Sequence, residues 1–302
     1  MAQPPKYFMY FPGNYRWSAA FVNMLGRASY GGTDIGELHK IGRALADKNA
    51  EDDQAWFDAC VAVADEVRSR AERFAASGHA VSAAAFYLRA CHYYQMGERF
   101  RTPKDKAALA AYRIAVDCFH RFVALGEVKI EIVEVPFEDK SLPGYFVHAQ
   151  NRRSPRAPCV VFFDGLDVTK EIQYLAGVPD LIKRGISVLV MDGPGTGEAI
   201  RFRGLVLRHD YEKAGSACID FLEKREDVDG KRSASSRSVS GDITRRAVPR
   251  SSRALLLASP GVRSGTITRY GSGGSRRSSR LRCRCQDTTS CGSWGRQRWR
   301  MH

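Results

Sequence analysis

Residues 233 to 302 of this 302-residue chain contain no lysine, glutamate, phenylalanine or asparagine. Their 15 arginines face only Asp242 and Asp287, so this stretch carries +13 of the whole chain's +14 and leaves residues 1 to 232 almost neutral. Fifteen serines and eight glycines complete a composition too poor in apolar side chains to offset the entropy of ordering a backbone. Disorder is expected there. A segment of that charge also attracts polyanions without reading their sequence, and arginines beside Trp294 and Trp299 would offer an RNA both phosphate contacts and stacking partners.

Other absences narrow the function further. No stretch approaches the roughly 18 apolar residues of a membrane span. The start, "MAQPPKYFMYFPGNYRW", lacks a basic segment followed by an apolar one. A soluble, cytoplasmic protein is the expectation, with no membrane partner. Cys60, Cys91, Cys118, Cys159 and Cys218 lie singly among apolar residues without ligand spacing, which predicts buried, reduced thiols. Cys283, Cys285 and Cys291 form a C-x-C and one more, with no histidine at finger spacing, which argues against zinc. The loop "GPGTGE", Gly193 to Glu198, lacks both the Lys-Ser/Thr of a phosphate loop and the third glycine of a dinucleotide turn, which argues against a nucleotide.

Residues 1 to 126 read as helices. Trp56, Cys60, Val61, Val63, Ala64 and Val67 form an apolar stripe within Asp52 to Ala76. Ser82 to Met96 and Lys104 to Leu125 repeat the pattern, and Gly78, Gly97 and Gly126 stand where each helix should end. The middle helix could belong to a tetratricopeptide array used for protein interaction, but no 34-residue recurrence accompanies it. His92 and His120 lie on these helices, where packing is the commoner role than catalysis. The aromatic run Phe86, Tyr87, Tyr93 and Tyr94 reads as core.

Residues 127 to 232 change period. "VKIEIVEVPF" (Val128 to Phe137) alternates as a half-buried strand does, with "GYFVHA" as its hairpin partner. "APCVVFFDG" (Ala157 to Gly165) and "ISVLVMDG" (Ile186 to Gly193) are continuous apolar runs, as strands covered on both faces require. Helices are expected over Lys170 to Lys183 and His209 to Arg225, and "VDGKR" should lead into a third core strand. Strand alternating with helix predicts a largely parallel sheet.

"FFDGLDVTKE" (Phe162 to Glu171), "VLVMDGPGTGEA" and "FLEKREDVDGKR" (Phe221 to Arg232), behind a helical segment containing "YFPGNYRW", resemble the α/β-hydrolase family of 2,6-dihydroxypseudooxynicotine hydrolase and its relatives. The likeness covers about residues 6 to 232. It implies an α/β fold: a helical cap over residues 1 to 126, the first part of an α/β-hydrolase core over 127 to 232 with a truncated sheet, and the basic tail over 233 to 302. It also implies hydrolysis of a carbon–carbon or ester bond in a small aromatic or ketone substrate, without metal or organic cofactor, and is compatible with a homodimer. Backbone donors for the oxyanion would come from Gly165 and Leu166.

What that chemistry needs is not all present. A nucleophile elbow of G-x-S-x-G type should follow "VDGKR" by about six residues. Ser238 and Ser240 stand there without a preceding apolar strand, and His302 is the only histidine after Ser233. No catalytic residue is therefore assigned, and the chain as written is expected to be inactive. A shifted reading frame accounts for the discontinuity. One permitted codon choice for Ser233 to Arg246, read after prefixing a single A, gives "IGIVAVSLGRYYAP": an apolar strand, then S-L-G. Ser259 to Ile267 in the same relative frame can give "VAWGAQWDY". Strands lost in this way should leave Val160, Val161, Val188 and Val190 partly uncovered.

Overall fold

The computed structural model describes residues 8–230 apart from 50, 164 and 166, and beyond them only four short strands. Ser238, Ser240, His302, Cys283 and Cys291 lie outside the described residues, as does most of the expected disordered tail.

The N-terminal half is helical: α1 (Tyr15–Leu25), α2 (Ile35–Leu45), α3 (Asp53–Ala76), α4 (Ala80–Glu98) and α5 (Lys106–Leu125). Side-chain caps set their starts. Asn14, Asp34, Asp52 and Asp105 each accept a backbone N–H from the first turn, satisfying donors that the helix itself leaves open. Gly78, at φ +79°, turns the chain from α3 into α4, as expected. Gly97 does not end a helix. It lies inside α4, where an added Cβ would stand 3.1 Å from the Cβ of Cys60, so its smallness serves the close approach of α3 and α4.

The sheet opens with a hairpin, β1 (Ile130–Phe137) and β2 (Lys140–Val147), whose two-residue turn places Glu138 at φ +55°. The second strand thus starts before Pro143 rather than after it. Pro143 is tolerated in the pairing opposite Glu134. The parallel strands β3 (Cys159–Phe163) and β4 (Ser187–Met191) follow, every residue of both buried. Between them the expected single helix is two, α6 (Lys170–Tyr174) and α7 (Val178–Lys183). Gly177 at φ +104° breaks the run, and Pro179 restarts it in the first turn of α7, where its missing N–H costs nothing. After β4 come α8 (Gly197–Arg203) and α9 (Glu212–Glu223).

Two strands beyond residue 233, β5 (Ala234–Arg237) and β6 (Leu255–Ala258), extend the sheet to the order β1-β2-β4-β3-β5-β6. From β4 to β6 all neighbours are parallel, while β1 and β2 are antiparallel additions at one edge. The remaining strands, β7 (Arg284–Gln286) and β8 (Arg298–Arg300), pair only with each other.

Alternation within the strands divides the core. Tyr145, Val147, Val160, Phe162, Val188 and Val190 face one continuous apolar cluster that includes the N-terminal helices. Phe146, Cys159, Val161, Phe163, Leu189 and Met191 face α9 on the other side. The four valines expected to be partly uncovered are at most 2% exposed, because helices cover both faces of β3 and β4. The cysteines at 60, 91, 118, 159 and 218 are free and buried. Tyr93 and Tyr94 are fully buried, and Tyr87 nearly so. No helix among the described residues is long and apolar enough to cross a membrane.

Candidate functional site

The C-terminal ends of parallel strands form the crevice in which open α/β sheets bind their ligands. Here the ends of β3 and β4 are joined by buried charge. Lys170, the first residue of α6, sends its ammonium to three carboxylates: Glu171 Oε1 at 2.7 Å, Glu198 Oε2 at 2.8 Å and Asp192 Oδ2 at 3.0 Å. Those contacts use all three N–H donors of the amine.

Asp192 follows the last residue of β4 and does more than pair with Lys170. Its Oδ1 accepts the Lys170 backbone N–H at 2.8 Å, and its Oδ2 accepts the Glu198 N–H at 2.9 Å. One side chain therefore ties the start of α6 to the start of α8. The approach requires Gly197, at φ +44°, whose added Cβ would meet the Asp192 carboxylate within 2.2 Å. It also fills the helix N-terminus that a nucleotide phosphate would use in the rejected reading of this loop.

Glu171 is fixed from three directions. Besides Lys170, Tyr145 of β2 donates its hydroxyl at 2.7 Å, and Gln95 of α4 donates its amide at 2.9 Å. The Thr169 hydroxyl in turn donates to Gln95 Oε1 at 2.7 Å. Lys170 also lies 5.1 Å from the centre of the Tyr145 ring, and Phe119 of α5 stacks on that ring.

The charges are unequal in their titration. Burial pushes Glu171 up, but Lys170 and the hydrogen bonds from Tyr145 and Gln95 pull it down further, to about 2. Burial instead holds Asp192 above the usual carboxylate range against the pull of Lys170, with the Glu171 charge adding to the rise. Lys170 is held protonated, since its three carboxylates outweigh the burial that opposes its charge.

Gly165 lies just beyond β3, half-buried, and its carbonyl accepts the Val168 N–H at 3.2 Å to close a tight turn. Leu166, the other expected oxyanion residue, is outside the described residues. The turn is held from the helical half. Arg99, at the end of α4, grips both the carbonyl (2.9 Å) and the carboxylate of Asp167. A few residues away, Glu98 receives Lys104 at 2.6 Å and Arg201 of α8 at 2.5 Å.

Neither His92 nor His120 is hydrogen-bonded to a serine or cysteine among the described residues. His92 binds the Gly32 carbonyl through Nδ1 at 2.8 Å, and burial lowers it to about 4, so it stays neutral and braces the Gly32–Thr33 loop. His120 is half-buried and edge-on to Tyr145, lowered by burial and by the nearby Lys170 charge. Among the described residues no serine or cysteine is hydrogen-bonded to a histidine. None holds a group of three or more metal-ligating side chains either.

Lys170, Glu171, Asp192, Glu198 and Gln95 were not singled out by the sequence. A signal existed: Asp192 directly follows a five-residue strand buried on both faces, a place where a carboxylate must find a partner.

The chain is 31% identical over 207 residues to 20-hydroxy-prefusarin hydrolase FUS2 of Gibberella moniliformis, covering 67% of this chain and 49% of that protein. It is 30% identical over 233 residues to hydrolase acrC of Aspergillus aculeatus, covering 72% and 54%. The crystal structure of 2,6-dihydroxy-pseudo-oxynicotine hydrolase superposes with a TM-score of 0.59 at 26% identity, over 70% of this chain and 57% of the other. This chain belongs to the α/β-hydrolase family. No family model matches it. The chain spans about half the length of the curated hydrolases it matches.

Proposed function

We propose that this α/β hydrolase derives from an enzyme that cleaves a carbon–carbon or ester bond in a small aromatic or ketone substrate, and that the chain as written retains its scaffold without its nucleophile and base. The names of its relatives, a 20-hydroxy-prefusarin hydrolase and a 2,6-dihydroxy-pseudo-oxynicotine hydrolase, support that substrate class.

One observation carries the proposal. β5, Ala234–Arg237, is parallel to β3 and adjacent to it, with the Lys170 network at the neighbouring strand ends. The alternative frame reads "GIVAVS" from residue 234 onward, an apolar strand ending in a serine just beyond β5. A nucleophile elbow needs that arrangement: a buried strand delivering a serine into a sharp turn beside the oxyanion donors. Gly165 and Leu166 would be those donors, the glycine allowing the substrate close to the main chain.

Sequencing the coding DNA and labelling with a fluorophosphonate tests this reading. A frame-restored chain is expected to be labelled at the new serine, and the present chain is not. Stoichiometric labelling of Ser238 or Ser240 in the present chain, with turnover of an activated ester, would overturn it.

A second property follows from the net charge of +13 beyond residue 232. That segment binds RNA and other polyanions electrostatically, whatever its origin.

A further inference from the structure

The end of α4 is braced from three sides. Trp56 of α3, fully buried, donates its indole N–H to the Met96 carbonyl at 2.7 Å. Lys104 reaches back to the carbonyls of Glu98 and Arg99 at 2.6 and 3.2 Å, serving acceptors that the last turn of a helix leaves open. Arg201 of α8 holds the Glu98 carboxylate. Gln95 and Arg99, four residues apart, therefore share one face of a fixed helix end.

Both reach the segment that follows β3. Gln95, 2% exposed, donates to Glu171 and accepts from the Thr169 hydroxyl, which itself accepts the Ile172 N–H as the cap of α6. Arg99 binds the carbonyl and the carboxylate of Asp167 together. The Asp167 side chain is 61% exposed, so burial does not hold it, and an ion pair this open adds little to stability. The carbonyl contact has a different consequence. It fixes the peptide plane two residues beyond Gly165, in a turn whose own bond from the Val168 N–H to the Gly165 carbonyl is 3.2 Å long.

We propose that Arg99, seconded by Gln95, is a positioning residue for the backbone donors at Gly165 and Leu166, so that the helical half sets the geometry of the oxyanion site. The proposal rests on the hydrolase reading, which gives those two N–H groups their role. Oxyanion donors act through preorganisation, and a misplacement of about 1 Å can cost on the order of 10²-fold in rate. The braced end of α4 supplies a rigid reference for them.

Amide exchange in the full chain, followed by NMR, tests the anchoring. In Arg99→Met the amides of Gly165, Asp167 and Val168 are expected to exchange at least about tenfold faster, with β3 and the thermal midpoint unchanged. Unchanged exchange in the turn, or an acceleration that extends through β3, overturns the proposal. The frame-restored chain separates this inference from the reading beneath it. There Arg99→Met should lower kcat on an activated ester by about tenfold or more with KM held, and Arg99→Lys, which keeps the charge and loses the fork, should recover part of the loss. A restored parent that does not turn over the ester sinks the hydrolase reading and the positioning role with it. An active parent whose Arg99→Met variant matches it in kcat sinks the positioning role alone.

Discussion

At the scale of single residues, the decisive side chain is one that the sequence hides. Lys170 lies in "DVTKE", which reads as an ordinary polar helix start, yet it is 1% exposed and serves three carboxylates. A buried ion cluster is weak evidence of stability in itself, because desolvation offsets much of the attraction. Its pH dependence is more informative. Glu171, depressed from 4.5 to about 2, contributes stability that is present above 4.5 and lost as pH falls between those values. The raised Asp192 acts in the opposite sense and reduces the net effect. Denaturant unfolding at a series of pH values should therefore show a fall across this acid window on the order of 2 to 3 kcal/mol from Glu171. Glu171→Gln should flatten it, and an unchanged slope would remove Glu171 from the account. The cysteines and the aromatic run were legible because apolar neighbours decide their fate. Lys170 was not, since its partners lie on β4 and α8 and only folding brings them together.

At the scale of elements, α3 and α5 were legible to within about two residues because an apolar stripe and an aspartate cap agree at each. The α6–α7 break was missed for a physical reason. The apolar period continues through "YLAGVP", and only the positive φ of Gly177 interrupts it. Gly197 is the more consequential glycine. An alanine there would adopt a strained φ and overlap the Asp192 carboxylate, which cannot retreat without releasing the starts of both α6 and α8. Gly197→Ala is expected to cost about 2 to 4 kcal/mol of stability. Thermal unfolding measures that cost, and a variant as stable as the parent would show that Asp192 has room to move.

At the scale of the whole molecule, the composition changes at residue 233 but says nothing of the order of the strands. Alternating strands and helices predict a parallel sheet. Nothing local says that β3 lies between β4 and β5, because that order is set by crossovers between distant segments. The uneven charge leads to a clear expectation. RNA binding by the full chain should weaken steeply with salt, and a chain ending at Arg232 should lose it. Equal binding by the shortened chain would assign the affinity to the hydrolase portion instead.

The grip of α4 on the turn after β3 also sets an order of events during synthesis. Gln95 and Arg99 leave the ribosome long before their partners, which follow 76 and 68 residues later at Glu171 and Asp167. The helices before residue 126 rest on near neighbours in sequence and can form early, whereas β3 and β4 depend on distant pairing and form late. A polar template is thus already assembled on α4 when the Gly165 turn emerges, and the turn is shaped against a surface that preceded it.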